Sequence, residues 1–502
     1  MNADFLQALT MFAKPHILLY LLLGGMIGTV FSAIPGLTST LALALLLPFT
    51  YNMDPFSAFV LLVGMFAGGV YGGSLTAITI DIPGAPGSVC TCLDGYPLFK
   101  KGQVGKAIGL ATFSSVFGGC VSAVILAVAA PQLAKVALRF GPPEYFSLAL
   151  FGMTAVVAIG TDMVKSVLAG LFGLLLGAVG VDILGRTRLT LGIPALMVGI
   201  PLLPTVVGLF AIARVFEAIH EGNPYGSAKI EGQISKMQFP TWQEIKSLWR
   251  IFVRQSLIGT FIGFLPGAGA NIAAFTAYNI EKRLSKNPEK FGTGCLEGVA
   301  APETANNATT GGALIPLLTL GIPGDQFTAV LMGAFLIHGL PVGPLLFREH
   351  QSLLYVIFLT TFLSNFVFLG LGYFGCKHII RLALVRESIL IPVVAAFSLM
   401  GAYAAESSII HLTIGVVFGI IAFALERVKF PMGPIVLGLI LSKLIEQSLV
   451  QSLIMSKGNV SIFFTRPLSL MFLVLAVVFA VIPLVASKGR KAENVTGAAL
   501  AN

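Results

Sequence analysis

The sequence predicts an all-α polytopic membrane protein with about twelve transmembrane segments, in two inverted repeats with broken or re-entrant helical hairpins. Three observations point there: charge is scarce, apolar runs recur almost to the end, and a set of landmarks occurs twice in one order. Of the 502 residues only 11% are charged and 56% are hydrophobic, whereas a soluble domain carries about 25% charged residues. A water-soluble fold of this size would lack the polar surface to cover itself. The 56 glycines and 27 prolines suit membrane helices, which use them for close packing and deliberate breaks. The net charge of +9 does not mark a nucleic-acid binder, because Lys and Arg sit in short clusters between apolar runs, as positive-inside loops do. Cys90, Cys92, Cys120, Cys295 and Cys376 show no metal-ligand spacing with histidine. Asp4 and Lys14 ahead of the first apolar run do not make a clear cleavable signal, so the first segment is expected to stay as a helix.

Residues 17–50 form an apolar segment interrupted at Ile34-Pro35-Gly36-Leu37, where proline removes a helical hydrogen bond and frees backbone groups. Thr38, Ser39 and Thr40 follow at once. A second run, 56–80, leads into Ile82-Pro83-Gly84-Ala85-Pro86-Gly87, with Gly72-Gly73-Ser74, Thr76 and Thr79 just ahead. Residues 94–106 are expected as a polar loop carrying Lys100, Lys101 and Lys106. Spans then cover 107–137, 145–160, 163–184 and 193–219, with a charged corner at 182–188. Residues 221–250 are the extended polar stretch, and 242–249 within it suit an interfacial helix or equally an ordinary connecting helix. A new run, 251–280, breaks at Leu265-Pro266-Gly267 and precedes a basic loop, 281–290. Residues 297–324 then set Glu297, Glu303, Asn306, Asn307, Thr309 and Thr310 among apolar neighbours and close on Ile322-Pro323-Gly324. Spans near 325–347, 352–376, 389–402, 409–425, 431–454 and 468–486 complete the membrane part. The expected division is a first repeat over 1–220, a linker over 221–250, a second repeat over 251–487 and a polar tail over 488–502.

The repeat rests on three matches. Ile27-Gly28-Thr29 leading to Pro35-Gly36 matches Ile258-Gly259-Thr260 leading to Pro266-Gly267 at identical spacing. Gly72-Gly73-Ser74-Leu75 running to Ile82-Pro83-Gly84 matches Gly311-Gly312-Ala313-Leu314 running to Ile322-Pro323-Gly324, with one residue inserted. Pro204, Gly208-Leu209, Arg214 and Glu217 match Pro434, Gly438-Leu439, Lys443 and Glu446. Equivalent loops carry opposite charge bias, as inversion in the membrane requires: 51–55 is unbasic against 281–290, and Lys100, Lys101 and Lys106 face a loop whose one basic residue is Arg348.

Interrupted apolar segments at matching positions of inverted halves point to a transporter binding site. A broken helix offers amide N–H groups to an anion at the start of its second part, and free carbonyls to Na+ at the end of its first. The candidate ligands are Gly36, Thr38, Ser39, Thr40, Ser74, Thr76 and Ser88 in the first half. Gly267, Gly269, Asn271, Asn306, Asn307, Thr309 and Thr310 are those of the second. Single Ser and Thr residues in membrane helices more often serve packing, whereas paired amides in lipid need partners. Asp81 and Glu303 either relay protons or bind a cation, or sit at a surface as helix caps; Asp325, after Pro-Gly, reads as a cap. No cofactor is expected beyond a coupling Na+ or H+. A membrane enzyme would want clustered His, Asp and Glu, but the six histidines are scattered and no P-loop is present, so the chain is not read as an enzyme. A channel is the alternative to alternating access.

The motifs GTVFSAIPGLTSTLALALLLP, YGGSLTAITIDIPGAPGSVCT, GFLPGAGANIAAFTAYNIEK and EGVAAPETANNATTGGALIPLLTLGIPGD resemble the large membrane subunit of the tripartite tricarboxylate transporters, over roughly residues 18–482. The resemblance implies a multi-pass permease of the bacterial inner membrane. It implies two partners, a small membrane subunit and a periplasmic solute-binding protein. Uptake would be driven by a Na+ or H+ gradient, with citrate or another carboxylate as substrate.

Overall fold

The computed structural model describes residues 3–34, 37–159, 162–221, 237–267, 269–382, 387–404 and 408–481. Gly36, residues 222–236 of the linker expected over 221–250, and the tail over 488–502 lie outside the described residues.

The chain is an all-α polytopic membrane protein. In order, its helices are α1 (Ala3–Phe12), α2 (Pro15–Ala33), α3 (Ser39–Leu46), α4 (Pro55–Ile80), α5 (Val89–Lys100), α6 (Val104–Ala137), α7 (Pro142–Ile159) and α8 (Met163–Gly177). Then come α9 (Leu202–Val207), α10 (Ala213–Glu221), α11 (Trp242–Phe264), α12 (Gly269–Leu284), α13 (Leu296–Leu320) and α14 (Gln326–Ile337). The last are α15 (Leu346–Glu349), α16 (Gln351–Gly370), α17 (Cys376–Leu382), α18 (Glu387–Ala404), α19 (Ile409–Arg427), α20 (Met432–Met455) and α21 (Ile462–Thr465). Wider i→i+5 turns, Gly208–Ile212 and Leu371–Gly375, join α9 to α10 and α16 to α17. Among the described residues, seven helical segments are long and apolar enough to cross a bilayer alone. The breaks cut other apolar runs into shorter helices such as Ser39–Thr50 and Gln326–Ile337.

Three local expectations need correction. Residues 94–100 are not loop but the last turns of α5, with Asp94 fully buried. The segment 242–249 is not separate from the run expected over 251–280: a capping box at Thr241 and Glu244 starts α11, which runs unbroken to Phe264. The span expected over 163–184 stops at Gly177, and a two-stranded hairpin, Gly180–Val181 with Thr187–Arg188, occupies the corner. There the Arg186 and Leu184 backbone N–H groups and the Arg186 guanidinium hold the Asp182 carboxyl below the usual carboxylate range.

The repeat has a structural counterpart. The breaks after α2 and α11 fall at equivalent residues, as do those after α4 and α13. Close approach fixes the register, because a Cβ at Gly28 would meet the Met65 carbonyl and one at Gly259 the Ala305 carbonyl. Likewise Gly72 faces the Thr29 carbonyl and Gly312 that of Thr260; Gly84 faces Ser32 O and Gly73 Cα, and Gly324 faces Gly263 O and Ala313 Cα. Thus Gly72 pairs with Gly312, not Gly311, and the inserted residue disappears. The same register brings Asp81 (φ 57°) onto Gly321 (φ 71°), each the left-handed residue that ends its helix. The third match is looser. The wide turn Gly208–Ile212 interrupts the first copy while α20 is continuous, and Glu217 pairs with Arg214 (2.5 Å) but Glu446 with Arg188 (2.6 Å).

The compact units are not the sequence halves; each draws on both. One comprises Met1–Leu138 and Leu203–Phe423, the other Arg139–Leu202 and Ala424–Asn502. In the first, α2 packs on α4, α11 on α13, and α13 runs along α6, a helix of the other half. In the second, α20 packs on α7 and α8, with Gly173 against the Ile435 carbonyl. Arg466 binds the buried Glu144 at 2.5 Å, and Ser147 and Ser469 share a hydrogen bond of 2.7 Å.

Backbone contact at the glycines predicts that Gly72→Val and Gly312→Val each destabilise the protein by about 3 kcal/mol or more, since neither facing carbonyl can yield. Thermal denaturation in detergent, followed by size-exclusion chromatography, measures this. Wild-type melting of both variants would refute the register.

Candidate functional site

Along α13 the residues Glu303, Asn306, Asn307 and Thr310 follow the i, i+3, i+4, i+7 spacing of one helical face. All four are buried. The Asn306 amide donates to the Val70 carbonyl at 3.2 Å, but its Oδ1 has no protein partner, and neither polar atom of the Asn307 side chain has one. The Asn306 Oδ1 points at Gly87, where a Cβ would collide with it and would lie 3.1 Å from the Ala270 Cβ. Ser88 Oγ, in the same turn, is buried and unpartnered, as is Ser32 Oγ. The Pro86–Ser88 turn that follows the first-half break therefore meets the middle of α13 and the start of α12, which follows a second-half break.

Gly267 (φ 79°) and Gly269 (φ 57°) take the left-handed conformation, which glycine adopts without strain. The Gly267 N–H donates to the Gly324 carbonyl at 2.7 Å, tying one break to the other. Asp325 caps α14 by accepting from the Thr328 N–H at 2.8 Å.

The remaining sequence candidates divide by what their side chains do. The hydroxyls of Ser74, Thr76, Thr309 and Thr310 donate to carbonyls of their own helices, on Tyr71, Gly73, Asn306 and Asn307. Thr38 caps α3 by accepting from Leu41 N–H, Ser39 donates to the Gly69 carbonyl at 3.1 Å, and Thr40 is buried beside them. Asn271 is exposed, and so is Asp81, in the position where its repeat partner is glycine. Glu303 is fully buried and accepts from Thr91 Oγ1 of α5 and from Ser115 Oγ of α6, the latter at 2.9 Å.

Sequence reading missed Thr91, Ser115, Tyr278 and, above all, Asp94. The Asp94 carboxylate accepts from Tyr278 Oη (2.9 Å) and from the N–H groups of Gly292 (3.0 Å), Gly294 (2.7 Å) and Cys295 (2.9 Å). A first-half acid thus meets the positive end of second-half α13 and clasps it to α12. Its signal was the uncharged set Cys90, Thr91, Gly95, Leu98 and Phe99, which recurs at helical spacing and puts Asp94 on the same face, where the charges suggest a loop. Asp94→Ala leaves three N–H groups and a phenol unmatched, so stability falls by about 3 kcal/mol; a melting temperature equal to wild type in detergent would count against the clasp.

The chain is 35% identical over 502 residues, 98% of its own length and 97% of the other, to an uncharacterised 52.8 kDa protein from the TAR-I ttuC′ 3′ region of Agrobacterium vitis. It is also 35% identical over 239 residues to an uncharacterised protein from the TAR-II ttuC′ 3′ region of the same organism, covering 47% of this chain and 98% of that one. No solved structure matches. The family model for the tripartite tricarboxylate transporter TctA family matches residues 18–437, and the chain belongs to that family.

Proposed function

We propose that the chain is the permease of a secondary active uptake system for carboxylates, citrate or a related organic acid, in the bacterial inner membrane. It works there with a small membrane subunit and a periplasmic solute-binding protein. A Na+ or H+ gradient drives alternating access, elevator-like in mode, by two inverted repeats. One observation carries the reading: Ser88 Oγ, Asn306 Oδ1 and both Asn307 polar atoms are buried and unpartnered near the junction of two helix breaks. Each such group costs roughly 1–3 kcal/mol unless something binds it. Amides and hydroxyls can accept a cation or donate to a carboxylate. The first N–H groups of α12, from Gly269 on, have no partner within the helix and would favour an anion. Among the described residues no Lys or Arg is buried, so an anion here is met by dipoles and by a co-bound cation. Ser88, Gly267, Gly269, Asn306 and Asn307 form the centre of the proposed substrate site. Ser39, Ser74, Thr76, Thr309 and Thr310 give their hydroxyl protons to carbonyls and keep lone pairs that can add to it, and Thr40 is buried beside Ser39.

Uptake of radiolabelled citrate, malate and succinate into proteoliposomes, with and without binding protein and an ion gradient, tests the reading. Accumulation is expected to need both; uptake indifferent to both would indicate a channel. Asn307→Ala removes two ligand contacts worth about 1 kcal/mol each and lowers uptake at subsaturating substrate about tenfold or more, with protein yield preserved. Unaltered kinetics in this variant would take Asn307 off the site.

A further inference from the structure

Glu303 stands apart from the unpartnered amides because its needs are nearly met, but by hydroxyls alone. The carboxyl is fully buried in the interior of α13, with one oxygen beside Thr91 Oγ1 and the other 2.9 Å from Ser115 Oγ. Two cations on helices packed against α13 are committed elsewhere. Arg254 of α11 forks onto Glu281 of α12 at 2.8 and 2.5 Å, and Lys106 at the start of α6 pairs with Glu244.

The titratable groups that face Glu303 from the packed helices are all acids. Tyr71 on α4 is hydrogen-bonded to Thr112 at 2.8 Å, and Cys90 and Cys92 lie on α5. Asp94 on α5 is engaged by loop N–H groups, and Cys120 is the titratable residue of α6 between Lys106 and Lys135. An acid in that setting is either neutral or waiting for a positive charge.

We propose that Glu303, held by Thr91 and Ser115, is a proton-binding site that couples carboxylate transport to the H+ gradient. This deepens the transport reading above and rests on it. Two features favour a proton over Na+. Coupling Na+ ions are held largely by carbonyls freed where helices unwind, and α13 is helical from Leu296 to Leu320. Both neighbouring hydroxyls are also within direct hydrogen-bonding reach of the carboxyl, which leaves the cation no place between them. Asn306 and Asn307 lie three and four residues on, so the titrating group sits one helical turn, about 5–6 Å, from the unpartnered amides. A proton taken up by Glu303 removes a negative charge beside the site as the anionic substrate enters. Its release on the other side restores that charge and favours substrate departure.

The test uses proteoliposomes holding the full chain with the small subunit and binding protein, radiolabelled citrate, malate and succinate as probes, and a pH-sensitive dye in the lumen. Wild type is expected to accumulate at least one probe under an acid-outside gradient and to acidify the lumen as it does so. In E303Q, which keeps the shape of the protonated side chain, gradient-driven accumulation falls about tenfold further than counterflow does. Equal losses in the two assays overturn the proposal, as does wild-type accumulation that follows a Na+ gradient but ignores the pH gradient. Ser115→Ala retains the carboxyl and one hydroxyl, and covers failure of the first variant to fold. It displaces the pH profile of counterflow, and a profile superimposable on wild type overturns the proposal. Absence of wild-type counterflow with every probe would fall on the transport reading itself and take the coupling site with it.

Discussion

A helix interrupted in apolar surroundings leaves amide and carbonyl groups that lipid cannot satisfy, and much of this structure answers that constraint. Four interruptions follow α2, α4, α11 and α13. Each answer is polar. Thr38 and Asp325 cap the helices that restart, Gly267 hydrogen-bonds to Gly324 across two breaks, and Gly84 to Gly73 within one. The breaks also have to be enclosed by protein. Enclosure requires helices that approach to backbone contact, which is what Gly28, Gly72, Gly259 and Gly312 permit.

The same constraint separates groups that are satisfied from groups left for a ligand. Hydroxyls on α4 and α13 turn back onto their own helices, so they are tolerated in the core at small cost. Asn306 Oδ1 and both polar atoms of Asn307 do not, since an amide oxygen can only accept and the carbonyls of a helix offer it no donor. Asp94 is the opposite case. Its charge is spent on the N-terminus of α13, binding the first-half element to the second-half one. Function and architecture therefore compete for one kind of atom, and burial with or without partners tells them apart.

Much of the architecture was legible in the chain itself. Membrane class follows from charge scarcity and span length, since lipid thickness leaves little choice. The repeat follows from Pro-Gly breaks at fixed distances, because an interruption of a membrane helix is the feature least free to drift. Paired amides at Asn306 and Asn307 stood out because lipid makes them expensive. Register was one residue out at Gly72, for adjacent glycines look alike in a sequence and differ in which one faces a carbonyl.

Three-dimensional packing supplied what spacing could not. Residues 94–100 read as a loop because their charges outweighed a short apolar period, yet burial against the start of α13 makes Asp94 a helix residue. Thr91 and Ser115 are ordinary membrane-helix hydroxyls until α5 and α6 bring them to Glu303 from more than 180 positions away. The compact units cross the repeat boundary, with α13 of one half lying along α6 of the other. Composition and periodicity are properties of one segment and its solvent, so sequence conveys them. Which polar atoms end up partnered depends on segments distant in the chain, and that is settled only when the helices pack.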